Sequence, residues 1–76
     1  EKSKYADRYI RLVSRCDEKF AKENMEKLLK MKSAALNSDT KTFNKYMKSM
    51  EIKDPQIEII LNTMRFDKTF NMPFRQ

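Results

Sequence analysis

The sequence predicts an all-α protein, a compact bundle of three to four short helices with an extended C-terminal tail. Three observations predict it. The 76 residues include no glycine. Tight β-hairpins, phosphate-cradling loops and dinucleotide fingerprints all use glycine where the backbone takes positive φ or approaches a ligand closely. Apolar residues recur three and four apart in successive segments, the spacing by which a helix buries one face. Hydrophobic residues make up 39% of the chain, with three Tyr and five Phe, more core-forming material than a disordered chain carries.

Residues 3–20 form the first predicted helix, with Tyr5, Tyr9, Leu12, Val13, Cys16 and Phe20 on its apolar face and Ser3 as a candidate cap. From Met25 the apolar set is Met25, Leu28, Leu29, Ala35 and Leu36, whose face lies roughly 150° round from the first. A break or kink near Asn24 is expected in preference to one long helix, with the Asn24 side chain as N-cap. Asn37, Ser38 and Asp39 read as a loop, and Ser38 or Asp39 is placed to cap a helix presenting Phe43, Tyr46, Met47 and Met50. Asp54-Pro55 is the clearest boundary: Asp as N-cap, Pro at the first helical position with its fixed φ and unneeded N–H. Ile57, Ile60, Leu61 and Met64 line the last helix, which fades near Asp67. Residues 70–76, with Pro73 between Met72 and Phe74, read as extended.

The chain forms one domain, a basic part over residues 1–53 and a neutral apolar part over 54–76. A chain of this length buries only about 60% of its unfolded surface, and such domains usually need a disulfide, a metal or a partner chain. Cys16 is the one cysteine and there is no histidine. An internal disulfide is impossible, zinc sites built on Cys and His are excluded, and no metal or cofactor is expected. Helix packing or self-association must then supply stability, so a homodimer is an expectation. No apolar run approaches the roughly eighteen residues of a membrane span. One thiol fits a reducing, intracellular compartment. The first residue, Glu1, suits an excised domain or a processed product, and the location is otherwise unknown.

The net charge of +6 is unevenly spread. Lys4, Arg8, Arg11, Arg15, Lys19 and Lys22 fall within about 80° of arc on a helix. The acids of that segment, Asp7, Asp17 and Glu18, are expected on the far flank of the apolar face. Like charges one turn apart destabilise a helix by a few tenths of a kcal/mol, so a single-sign ridge suits an anionic partner that relieves them. Nucleic acid is the expected partner, bound mainly through backbone phosphates, with Lys41, Lys45 and Lys48 as a secondary row. A ridge that is solvated or faces a protein partner stands beside this reading with equal weight. A membrane surface ranks below both, because the apolar face is aromatic and β-branched in a way suited to packing and lacks Trp.

The alternative function is a protein-interaction, regulatory or self-assembly domain, with apolar hot spots at Phe43, Met47, Met50, Ile59 and Phe74. Phe43, Met47 and Met50 fit a core role better than a partner groove. Tyr5 and Tyr9 are read as covering the core with their hydroxyls in water rather than as stacking platforms for bases. Cys16 is read as a small buried hydrophobe without a base to activate it. No three groups assemble a nucleophile, a base and an orienting residue, so no enzyme is expected. A helix-turn-helix over residues 40–66 is disfavoured, since its second helix is too apolar to lie in a DNA groove.

Overall fold

Asp17 decides the N-terminal architecture. In the computed structural model, which describes residues 2–67 and their side chains from Lys4 onward, Asp17 takes extended backbone angles, φ −157° and ψ 95°. Its carboxylate accepts the Phe20 N–H at 3.1 Å, the N-cap arrangement that satisfies an orphan helix donor. The predicted first helix is therefore cut in two, and five helices appear among the described residues rather than three or four. They are α1 (Lys2–Cys16), α2 (Glu18–Glu23), α3 (Met25–Leu36), α4 (Thr40–Ser49) and α5 (Pro55–Arg65).

A break near Asn24 is present, but its side chain works in the opposite sense from the one expected. Asn24 caps no N–H of α3; its Nδ2 donates to the Phe20 carbonyl at 3.0 Å and closes α2. The bend is mild because the backbone ladder continues through it, with Leu28 N–H donating to the Asn24 carbonyl at 2.9 Å.

The α3–α4 turn replaces glycine with Ser38, whose φ is 58°. The Asp39 N–H donates to the Ala34 carbonyl at 2.8 Å and the Ser38 N–H to that of Ala35 at 3.2 Å, the paired bonds of a Schellman ending. Asp39, not Ser38, then caps α4. Thr42 donates to its carboxylate from Oγ1 at 2.7 Å and from the backbone N–H at 3.1 Å, and these two bonds hold Asp39 below the usual carboxylate range. Asp54 caps α5 as the sequence predicts, accepting the Gln56 N–H at 2.9 Å with Pro55 at the start.

α3 is the central element, packed against α1, α2, α4 and α5, and α1 also packs on α5. Its Leu28, Met31, Ala34 and Ala35 meet Ala6, Ile10 and Val13 of α1, Phe43 of α4, and Ile57, Leu61 and Met64 of α5 in one core. No polar or charged residue is buried among the described residues. The core stripe of α1 is rotated from the predicted one. Ala6 and Ile10 are inside, Tyr5, Tyr9 and Cys16 are half-buried at its edge, and Leu12 is 40% exposed. The reason is that α1 packs on both α3 and α5, so the buried stripe is the one facing both neighbours. The predicted extended segment 70–76 lies outside the described residues.

Candidate functional site

Every cation of the predicted ridge is exposed: Lys4, Arg8, Arg11 and Arg15 on α1, Lys19 and Lys22 on α2. On α1 they stand roughly opposite Ala6, Ile10 and Val13, at about 100° per residue, so the ridge is the outward line of that helix. It is not one straight helix edge, as the sequence suggested, because Asp17 interrupts it. The placement of the acids also differs from the one expected. Glu18, expected off the ridge, lies 3.7 Å from Lys22 as an exposed i,i+4 pair. Lys19 lines a furrow with Asp17, Glu23 and Glu51. The α2 end of the ridge is thus diluted by carboxylates, and the undiluted part is Lys4, Arg8, Arg11 and Arg15.

Those four residues span about 16 Å of helix axis at 1.5 Å per residue. Arg8 is held along the surface by the Tyr5 ring, its Cζ 4.9 Å from the centroid. Tyr5 in turn meets Tyr9 edge to face at 6.4 Å, and the Tyr9 hydroxyl donates to Asp67. Burial first, then that hydrogen bond, make the Tyr9 hydroxyl a much weaker acid than usual. Both tyrosines pack against the core, as the sequence predicts, but the Tyr9 hydroxyl is bonded to Asp67 rather than left to water. Asp7, the acid of α1, is turned to α3 and paired with Lys32 at 2.7 Å. Lys41, Lys45 and Lys48 are exposed on α4, a separate row whose helix shares only the neighbour α3 with the main ridge in its close packing.

The apolar partner-binding candidates divide sharply. Phe43 is fully buried and Met50 nearly so; both are filled into the core and offer a partner no surface. Met47 is partly buried against that core. Ile59 is 63% exposed, and Phe74 lies outside the described residues. Two residues that the sequence reading passed over join Ile59 instead. Phe66, one residue beyond α5, is 65% exposed, and Leu12 projects between the arginine ridge and α5. Leu12, Arg15, Cys16, Gln56, Ile59 and Ile60 line one furrow between α1 and α5. A second hollow carries the same face on through Tyr9, Ile59, Thr63 and Phe66. The helical phase of Leu12, beside the arginines rather than among the buried residues, was the available signal for it.

Cys16 sits on the floor of that furrow, half-buried, its Sγ 3.7 Å from Gln56 Oε1; it is less enclosed than the sequence suggests. No cluster of three or more potential metal ligands exists among the described residues, and none of their helices is long and apolar enough to cross a membrane. A hollow beside Ala34, Asp39, Phe43 and Arg65 holds about 260 Å³, below the roughly 300–1,000 Å³ of small-molecule pockets. Arg65 closes it, stacked 4.4 Å from Phe66 and 5.7 Å from Phe43, and donating to Asn44 and Asn62.

No protein-family model, curated protein or solved structure matches the chain.

Proposed function

We propose that this chain is a non-catalytic basic module that binds nucleic acid through its backbone phosphates, chiefly with Lys4, Arg8, Arg11 and Arg15. The observation that carries the reading is the row of four exposed cations at one-turn spacing along the outward edge of α1, with Asp7 drawn away by Lys32. Each strand of duplex DNA presents about one charge per 3.4 Å of axis, so a 16 Å row runs beside about five phosphates of one strand. Arginine adds a bidentate fork for each one it reaches. Lys19, Lys22 and the α4 row of Lys41, Lys45 and Lys48 contribute long-range attraction. Phosphate contacts carry no sequence information, so sequence preference is low.

The test is binding to random-sequence duplex and single-stranded DNA across a salt series, for wild type and for Arg8→Ala/Arg11→Ala/Arg15→Ala. Four phosphate contacts give a log–log salt slope of about −3 to −4 on duplex. The triple variant cuts the slope to about −1 and lowers affinity uniformly over sequences. Absence of salt-sensitive binding at low ionic strength sinks the reading.

A further inference from the structure

The α1–α5 furrow carries a feature that phosphate binding leaves unused. Leu12, Ile59 and Phe66 are large, apolar and 40% or more exposed. Leu12 and Ile59 line the furrow with Arg15, and Phe66 borders the adjoining hollow that Ile59 shares. Arg11 and Arg8 stand on the outward edge of α1 at one-turn spacing from Arg15. Ile59 and Phe66 are seven residues apart, about 10 Å along the helix axis. That is the distance between positions i and i+7 of an incoming helix, and the arginines repeat on the same pitch.

We propose that this furrow docks an amphipathic helix of a partner protein, its apolar stripe lying on Leu12, Ile59 and Phe66 and a carboxylate edge facing Arg8, Arg11 and Arg15. Helix-in-groove recognition works by such anchors, and the charge complementarity sets the orientation of the incoming helix and speeds its encounter. A second copy of the chain does not meet the requirement. None of the five helices carries more than two carboxylates, and those of α2, Glu18 and Glu23, are five residues apart. A flat bilayer fits poorly, since the furrow floor at Cys16 and Gln56 would stay uncovered. Nucleic acid supplies the charge but no continuous apolar face. The inference does not depend on the nucleic-acid reading. The two partners share the arginines, so they exclude one another.

The experiment displays a library of helical peptides, about five turns long, with Leu fixed along one stripe and flanking positions varied among Glu, Lys and Gln. Selection uses the full chain, with Ile59→Asp as counter-bait. Ile59 and Leu12 are exposed, and circular dichroism confirms that their variants fold. The expected result is recovery of peptides with Glu concentrated along one flank. These peptides bind wild type at least tenfold more tightly than Leu12→Asp, Ile59→Asp or Arg11→Ala/Arg15→Ala, and duplex DNA displaces them. Peptides that bind the variants equally, a flank without Glu, or no enrichment over the counter-bait overturns the proposal. Flotation with phosphatidylserine vesicles that depends on Leu12, with no peptide recovered, overturns it in favour of a bilayer. Ile59→Ser adds no charge beside Arg15 and leaves duplex binding unchanged, so loss of peptide binding in that variant is separable from failure of the phosphate reading.

Discussion

The Lys32 ammonium of α3 lies 2.7 Å from Oδ1 of Asp7 on α1, with side-chain exposures of 17% and 41%. This pair ties the N-terminal helix to the central one and takes the acid of α1 away from the arginine edge. Being partly buried, it is screened less than a surface pair.

Asp7→Ala is expected to destabilise the fold by about 1 kcal/mol, a figure kept low because Asp7 is more than a third exposed. DNA affinity is expected to stay level or rise slightly, since an opposing charge leaves the neighbourhood of the ridge. Urea unfolding and a binding titration on the same preparation check both. A drop in affinity that tracks the loss of stability would mean the ridge needs the pair for its geometry.

Ser38 at φ 58° is a non-glycine residue in the left-handed region, where a Cβ crowds the carbonyl. Ser38→Gly is expected to stabilise the protein by about 0.5–1 kcal/mol, the relief of that strain less the extra freedom glycine gives the unfolded chain. The urea midpoint rises at unchanged slope. A fall in midpoint would show that the Ser38 side chain contributes more than its backbone strain costs.

Two groups set opposite pH limits. The Tyr9 hydroxyl is pushed above its ordinary value near 10 by burial and by the bond to Asp67, so the folded state holds its proton more tightly. Its contribution is full below about pH 10 and lost as pH rises beyond that. Asp39 is held low by the Thr42 bonds, so its contribution is present above about pH 4 and lost as pH falls below. Tyr9→Phe is expected to lower neutral stability by about 1 kcal/mol, the net worth of one hydrogen bond, and to flatten the alkaline limb. Asp39→Asn keeps a capping side chain and flattens the acid limb. Urea midpoints over a pH series read both, and an alkaline limb unchanged in Tyr9→Phe would refute the first.

Much of the fold was legible in the chain, because the signals are local. Asp54-Pro55 announces α5 through chemistry within two residues, and Phe43, Ile57, Leu61 and Met64 announce their burial through helical spacing. Asp17 was legible in principle, since its capping partner is three residues on, but an unbroken run of basic residues across it reads as one helix. The site was half legible: the exposure of Arg8, Arg11 and Arg15 follows from phase, whereas their apolar border does not.

The sequence by itself determined the helical class, the cap at Asp54, and the basic edge of α1, since each depends on residues within one or two turns. Only the tertiary structure decided that Leu12 and Ile59, 47 positions apart in the chain, share one furrow beside Arg15. It alone decided that Asp7 faces Lys32. Helical periodicity says which residues share a face; which neighbour covers that face depends on how α3 gathers the other helices. The apolar residues it leaves uncovered are those that α1 and α5 present beyond their line of contact.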